Sequence, residues 1–413
     1  MTAPARTPPP VISLTGPAPG WFAPGDCRLE DFRPLVEQAT RPEDYPHADG
    51  VQDNVPSYGE RMRGYLDAAA EGPDGAAARR DVQAELARAL GQGPGIVVFK
   101  QAFGADVVDR ATEVFTALIT EQTASGTAGG DHFAKPGAND RIWGALDKFA
   151  LRAPDVFAHY YANDIVALIC EAWLGPNYQM TSQPNVVNPG GQAQLVHRDY
   201  HLGFMDRAQA LAYPVRAHLL SPALTLQGAV AHCDMPVESG PTMYLPHSQK
   251  YPPGYIAYQL PEFIEYFGAH YVQLPLEKGD AAFFSPALFH GAGTNRSANI
   301  RRMANLLQVS SAFGRAMETV DNMAICRTVF PVLKVRAAGA WGGADSQAAR
   351  NLITVAAEGY PFPTNLDRDQ PIGGMTPQTQ AGLLSQAVAE DWEPGRLDAE
   401  LAAQQQRRIV GAA

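Results

Sequence analysis

The sequence predicts a mainly β core with surrounding helices, of the sandwich or jelly-roll kind. Two observations carry this. Between about 176 and 315, short apolar runs alternate with turns rich in proline and glycine, the pattern of many short strands closing on one another. On either side the apolar spacing becomes helical. A composition with 46% hydrophobic and 18% charged residues over 413 positions leaves enough apolar side chains for a sizeable core.

Taken in chain order, the first 25 residues hold Pro4, Pro8 to Pro10, Pro17 and Pro19 and are expected to be disordered. Residues 26–175 form a helical region. Val82, Leu86 and Leu90 share one face of a helix from about Arg79, and Val107, Val108, Ala111, Val114, Phe115, Leu118 and Ile119 form the stripe of a second from about Ala105. Between them, Gly95-Ile-Val-Val-Phe99 reads as a buried strand. A third helix, Asp164–Leu174, stops at Gly175-Pro176.

Expected strands follow at Tyr178–Val187, Gln194–Tyr200, Ala223–Cys233, Thr242–Leu245, His270–Leu276, Ala281–Ser285 and Arg302–Ser311. Residues 316–413 return to helix and loop and are expected to pack on the core, so that the chain forms one integrated domain. Thr376-Pro377 reads as a helix start. The Pro- and aromatic-rich stretch Gly359–Leu366 reads as a surface wrap, with a lid over a pocket as the alternative.

A net charge of −11 without a dense Lys/Arg run argues against nucleic-acid and anionic-membrane partners. Cys27, Cys170, Cys233 and Cys326 form no CxxC pair, which predicts reduced thiols and a cytoplasmic location. No secretory signal and no apolar run of membrane-spanning length are expected. HExxH, GxSxG and GxxxxGK[ST] are absent, which removes the commonest zinc-protease, hydrolase and nucleotide-binding readings.

The chemistry centres on Val196-His197-Arg198-Asp199-Tyr200-His201. In an extended segment, side chains at i and i+2 project to one side, so His197 and Asp199 offer an imidazole and a carboxylate together. A hydrogen-bonded surface pair would look the same. The third group comes much later, in Gly279-Asp280 through an apolar run to His290 and the turn Gly291-Ala-Gly-Thr-Asn295. Two histidines and one carboxylate make a facial triad that leaves metal positions open. Eleven residues beyond His290 stands Arg301, then Arg302 and an apolar strand. Strand alternation lets only one of these two face inward.

Four features in order resemble the phytanoyl-CoA dioxygenase family of iron(II)/2-oxoglutarate oxygenases. They are the entry strand and helix from Gly95, the His197–Asp199 motif, the segment Glu238–Lys250, and the run Gly279-Asp280 to His290 and Arg301. Together they span about half the chain. The resemblance implies a double-stranded β-helix, the cupin-like jelly roll. It also implies Fe(II) on His197, Asp199 and His290, 2-oxoglutarate anchored by Arg301 and reached by Asn185, and O2 as co-substrate. The expected reaction is hydroxylation of an unactivated C–H bond of a small-molecule metabolite, with release of succinate and CO2. Desaturation or oxidative cyclisation is the near alternative. A metal-dependent barrel hydrolase or isomerase, or a non-catalytic binding protein, is the distant one. Asp199 stands where related halogenases carry a small residue, so halogenation is not expected.

His201 and Gln227 are candidate substrate contacts, each with ordinary hydrogen bonding as its competitor, and His232 is ambiguous in the same way. His247 is a rival third ligand, in a turn that departs from the family's usual Pro-Gly-Ser-His-Lys. Ala292 stands where the family often has Ser or Thr, with Thr294 as a possible replacement. His47, His132, His159, His218 and His270 show no ligand spacing. A homodimer is possible.

Overall fold

The computed structural model describes residues 20–70, 74–126 and 138–410. Its centre is an eight-stranded sheet facing a three-stranded one. The strands are β1 (Gly50–Gln52), β2 (Val55–Tyr58), β3 (Ile96–Phe99), β4 (Asn139–Arg141), β5 (Gln179–Val187), β6 (Thr225–Ala231), β7 (Met243–Leu245), β8 (Val272–Gln273), β9 (Ala281–Phe284), β10 (Phe289–Gly291) and β11 (Arg302–Ser310). The large sheet runs β1-β2-β3-β9-β6-β11-β5-β4 and the small one β10-β7-β8. All pairs are antiparallel except β2 with β3.

Alternation sorts the central strands. Leu226 and Val230 of β6, Phe283 of β9 and Leu307 and Val309 of β11 join a cluster with the helices Gly75–Gly91, Ala105–Ala124, Pro154–Tyr161, Asp164–Leu174 and Asn322–Ala338. The opposite face carries Val98, Ala282 and Phe284, packed against Tyr244, Leu274 and Leu276 from the small-sheet side. Among the residues lining the space between the sheets, Ala229, Ala282 and Ala304 of the large sheet are small. The outer side of the small sheet packs Leu245 and Phe289 on Phe32, Tyr251 and Phe263.

Local signals placed several elements closely. The helix Asp164–Leu174 begins where the Asn163 side chain accepts the Val166 N–H at 3.0 Å and ends at Gly175, φ 77°, the left-handed region glycine tolerates. The run Ile96–Phe99 is a buried strand, and the helix Ala105–Ala124 buries Val108, Ala111 and Phe115 of its expected stripe.

Other expectations need correction. Helical residues outnumber strand residues, so the fold is α+β around a large mixed sheet rather than mainly β. The stretch 194–200 is not a strand; it makes a single bridge, at His197. The strand expected over 270–276 shrinks to β8, and residues 261–270 are helical instead. The last short helices begin later than Thr376: Gln380–Ala389 is capped by Thr379, whose hydroxyl accepts the Gly382 N–H at 2.9 Å.

Of the expected disordered segment, residues 1–19 lie outside the described residues, as does His132. Residues 20–25 are placed: Gly20 O accepts the Val215 N–H, Trp21 bridges Pro214, and Phe22 is buried. The wrap 359–366 ties to the C-terminal part, with the Asn365 amide donating to Ile409 O. One apolar cluster includes Val82, Phe283, Leu333 and Leu401, so all three stretches share a core. No described helix is long and apolar enough to cross a membrane.

Candidate metal centre

His197 and His290 meet through their backbones. Each N–H donates to the other's carbonyl, at 2.9 and 3.1 Å, which sets the two imidazoles side by side with ring centroids 4.3 Å apart. Both rings are oriented alike. The Nδ1 of His197 lies 2.9 Å from Leu195 O, and that of His290 lies 2.9 Å from Leu288 O. A carbonyl can only accept, so Nδ1 carries a proton in either charge state, and Nε2 is the atom that offers a lone pair once the ring is neutral. The Nε2 atoms face Asp199, at 3.8 Å for His197 and 3.7 Å for His290.

Asp199 is held from three directions. Its N–H donates to Pro286 O at 2.9 Å, its carbonyl accepts the Tyr255 hydroxyl at 3.2 Å, and its carboxylate accepts the amide of Gln227. Burial alone would raise its pKa. The hydrogen bond with His290 and the charges of His197 and His290, with Gln227 adding to them, outweigh burial and hold it down to about 2, so it is a carboxylate at neutral pH. The three ligand atoms lie within 4.8 Å of one another, the one such His/Cys/Asp/Glu group among the described residues. Two imidazoles held by their Nδ1–H groups, with Nε2 turned to an ionised carboxylate, suit a divalent transition metal.

Beside the triad, a cavity between the sheets is lined by Asn185, Thr242, Tyr244, Ala304, Leu306 and Arg302. It adjoins the metal ligands through β7, where Tyr244 pairs with His290. Arg302, not Arg301, is the arginine in it. Ala304 and Leu306 of β11 share the cavity, and Arg302 has their parity. Arg302 is 7% exposed, and its guanidinium donates to the carbonyls of Ser239 and Gly293 at 3.2 and 3.4 Å. No carboxylate among the described residues pairs with it, and burial pushes its pKa down to about 10. Arg301 points outward, with a side chain 60% exposed that pairs with Asp140 at 3.3 Å and bonds the Asn188 side chain at 3.1 Å. Asn185 does reach the cavity, and its buried Oδ1 has no partner.

The remaining candidates separate by hydrogen bonding. Gln227 holds the Asp199 carboxylate, and its Oε1 is buried without a partner. His201 has both ring nitrogens engaged, with the Thr225 hydroxyl at 2.8 Å and the Arg315 N–H at 3.2 Å. This favours the hydrogen-bonded alternative over a substrate contact. His232 faces away from Gln227, toward the helices, between the Thr112 and Tyr160 hydroxyls at 2.8 and 3.0 Å. An even spacing would have been needed for both to face the cavity. His247 sits between Lys250 at 2.8 Å and Thr40 at 3.0 Å, outside the triad. Thr294 accepts the Ala193 N–H at 3.0 Å, which stitches the turn.

Tyr255 was not singled out from sequence; nothing local distinguishes it. Arg302 had a signal. In 302–310 the even positions carry Ala304, Leu306, Gln308 and Ser310, and the odd ones Met303, Asn305, Leu307 and Val309, so the even face is slightly smaller and more polar. The smaller, more polar face is the one a ligand cavity needs.

The profile of the phytanoyl-CoA dioxygenase (PhyH) family matches residues 91–303, just over half of the chain. This protein belongs to that family. All three triad residues and Arg302 lie within the matched stretch. Among curated relatives, dioxygenase trt7 of Aspergillus terreus (strain NIH 2624 / FGSC A1156) is 24% identical over 214 residues, 51% of this chain and 68% of its own. Dioxygenase cdmD of Talaromyces verruculosus is 27% identical over 176 residues, 41% of this chain and 53% of its own. A similar solved structure is the epimerase SnoN in complex with Fe3+, alpha ketoglutarate and nogalamycin RO. It is 18% identical with a TM-score of 0.39, covering 57% of this chain and 85% of that one.

Proposed function

We propose that this protein is an iron(II)- and 2-oxoglutarate-dependent oxygenase built on a double-stranded β-helix, which hydroxylates a small-molecule metabolite. The observation that carries this reading is the His197–Asp199–His290 cluster, with the Nε2 atoms of both rings turned toward one carboxylate. The residues present fit the cofactors. An unpaired buried guanidinium at Arg302 and the orphaned Oδ1 of Asn185 line an adjoining cavity. A dicarboxylic 2-oxo acid suits it, with one carboxylate in a bidentate bridge to the arginine.

Bound iron with 2-oxoglutarate and O2 supplies the oxidising power for a C–H bond, releasing succinate and CO2; the chain supplies everything else. Leu195 O and Leu288 O fix the imidazole tautomers, Gln227 fixes one oxygen of Asp199, and the apolar walls Leu274, Leu276 and Leu306 limit water around the anchored carboxylate. On the open side the side chains are apolar and exposed: Leu195 and Leu202 flank the motif, and the ring of Phe204 lies 5.8 Å from that of His197. Such a rim suits an apolar substrate body rather than a phosphorylated carrier.

The test is incubation under 18O2 with iron(II), 2-oxoglutarate and a panel of apolar metabolites, read by mass spectrometry. A product heavier by one labelled oxygen, formed with equal succinate, is expected. A product lighter by two hydrogens would replace hydroxylation with desaturation or cyclisation. Absence of succinate in every arm counts against the oxygenase reading itself.

A further inference from the structure

Arg198 lies between the two metal ligands in sequence, yet its side chain goes the other way. The segment 192–206 has no sheet ladder to fix it; only His197 is bridged. Its register is set by what its back face meets. That face carries Val196, Arg198 and Tyr200, all buried. Arg198 is 3% exposed, and its guanidinium is a cation in an apolar, aromatic setting, with no carboxylate partner among the described residues and with its Nε unbonded. A charge placed this way costs folding free energy, and replacing it with an apolar residue of similar size is often neutral or stabilising. Its retention points to a role outside stability.

Its contacts converge on the ligands. The guanidinium lies over the ring of Phe289 at 5.1 Å, the residue immediately before His290. It donates to Ser248 O, and the hydroxyl of the same serine accepts the Phe289 N–H at 2.8 Å. It also lies over the ring of Tyr255 at 5.3 Å, whose hydroxyl donates to Asp199 O at 3.2 Å. One planar cation thus touches the supports of His290 and of Asp199 while being chained directly between His197 and Asp199. Gly254 leaves room for it, since a Cβ there would overlap the guanidinium.

We infer that Arg198 is a positioning residue that locks the three metal ligands into register from behind, through Phe289, Ser248 and Tyr255. The inference rests on the proposed metal centre and adds a division of labour to it. The charge and planar shape of Arg198 serve ligand geometry at the expense of fold stability. Arginine suits this better than lysine, because a flat guanidinium stacks on two rings and still donates in its own plane.

The experiment compares the full-length protein with Arg198→Met and Arg198→Lys. Mn(II) is the probe, with affinity measured by the EPR signal of free ion and stability by thermal midpoint without metal. For Arg198→Met the expected result is metal binding weakened by about 10- to 100-fold, the range for groups that orient ligands. Its thermal midpoint should be equal to or above that of the wild type. Arg198→Lys should fall between the two in affinity, and it keeps the inference testable where the methionine variant does not fold. Unchanged Mn(II) affinity in the variants overturns the inference, as does a parallel loss of affinity and thermal midpoint, which would mark a purely structural role. A wild-type protein that binds no Mn(II) would instead strike at the metal centre itself.

Discussion

At the scale of single residues, the difference between Arg301 and Arg302 shows what one step along a strand does. Arg301 immediately precedes β11 and Arg302 opens it, and adjacent side chains in extended chain point to opposite sides; one guanidinium meets Asp140 at the surface, and the other enters the cavity without a counter-ion. Arg302→Gln is expected to weaken 2-oxoglutarate binding by about 2 to 5 kcal/mol, the cost of losing one partner of a buried charge pair. Arg301→Gln is expected to change it by less than about 1 kcal/mol, as for an exposed ion pair. The two KM values for 2-oxoglutarate check this, and a larger effect at Arg301 would reverse the assignment. The sequence narrowed the choice to two neighbours. The place eleven residues beyond His290 points to Arg301, whereas the parity of β11 puts Arg302 in the cavity with Ala304 and Leu306.

At the scale of elements, legibility followed whether a signal was local. The helix Asp164–Leu174 carries its own cap and its own stop, and β3, β6, β9 and β11 carry apolar runs. The metal loop reads as a strand in sequence, but its extended shape comes from docking Val196, Arg198 and Tyr200 rather than from a ladder. The conclusion drawn from that strand survived, since i and i+2 share a side in any extended segment. Helices such as Asn322–Ala338 gave little warning. Pro331 sits inside that one, and proline ordinarily argues against a helix interior.

The Gly279-Asp280 turn shows an element secured by one side chain. The fully buried Asp280 carboxylate accepts the Gln101 N–H at 2.8 Å and the Glu277 N–H at 2.9 Å and pairs with Lys100. It thereby joins the end of β3 to the start of β9. Asp280→Ala strands two backbone donors and should lower the unfolding free energy by about 3 kcal/mol, measurable by denaturant titration. A loss below about 1 kcal/mol would mean that water replaces the carboxylate without difficulty.

For the molecule as a whole, two buried histidines tie stability to pH. His232 and His247 are each 4% exposed or less, and burial lowers both from 6.5 to about 3, with the neighbouring Lys250 adding to the effect at His247. Between those values the unfolded chain takes up protons that the folded chain refuses, so stability rises with pH across the window. It is fully present above about 6.5 and falls as pH drops toward 3, by about 1.4 kcal/mol per pH unit for each histidine. His232→Gln, which can still bond Thr112 and Tyr160, should flatten the fall of the unfolding midpoint between pH 6 and pH 4. An unchanged slope would place the pH sensitivity elsewhere.

The molecule's central claim is chemical and lies in three side chains brought together from two distant segments. Anaerobic titration of the protein with iron(II) and 2-oxoglutarate tests it most directly. A weak visible charge-transfer band should appear with the wild type, persist in Arg301→Gln, and be absent in His197→Ala; a wild-type protein that gives no band, or a band that survives His197→Ala, contradicts the account.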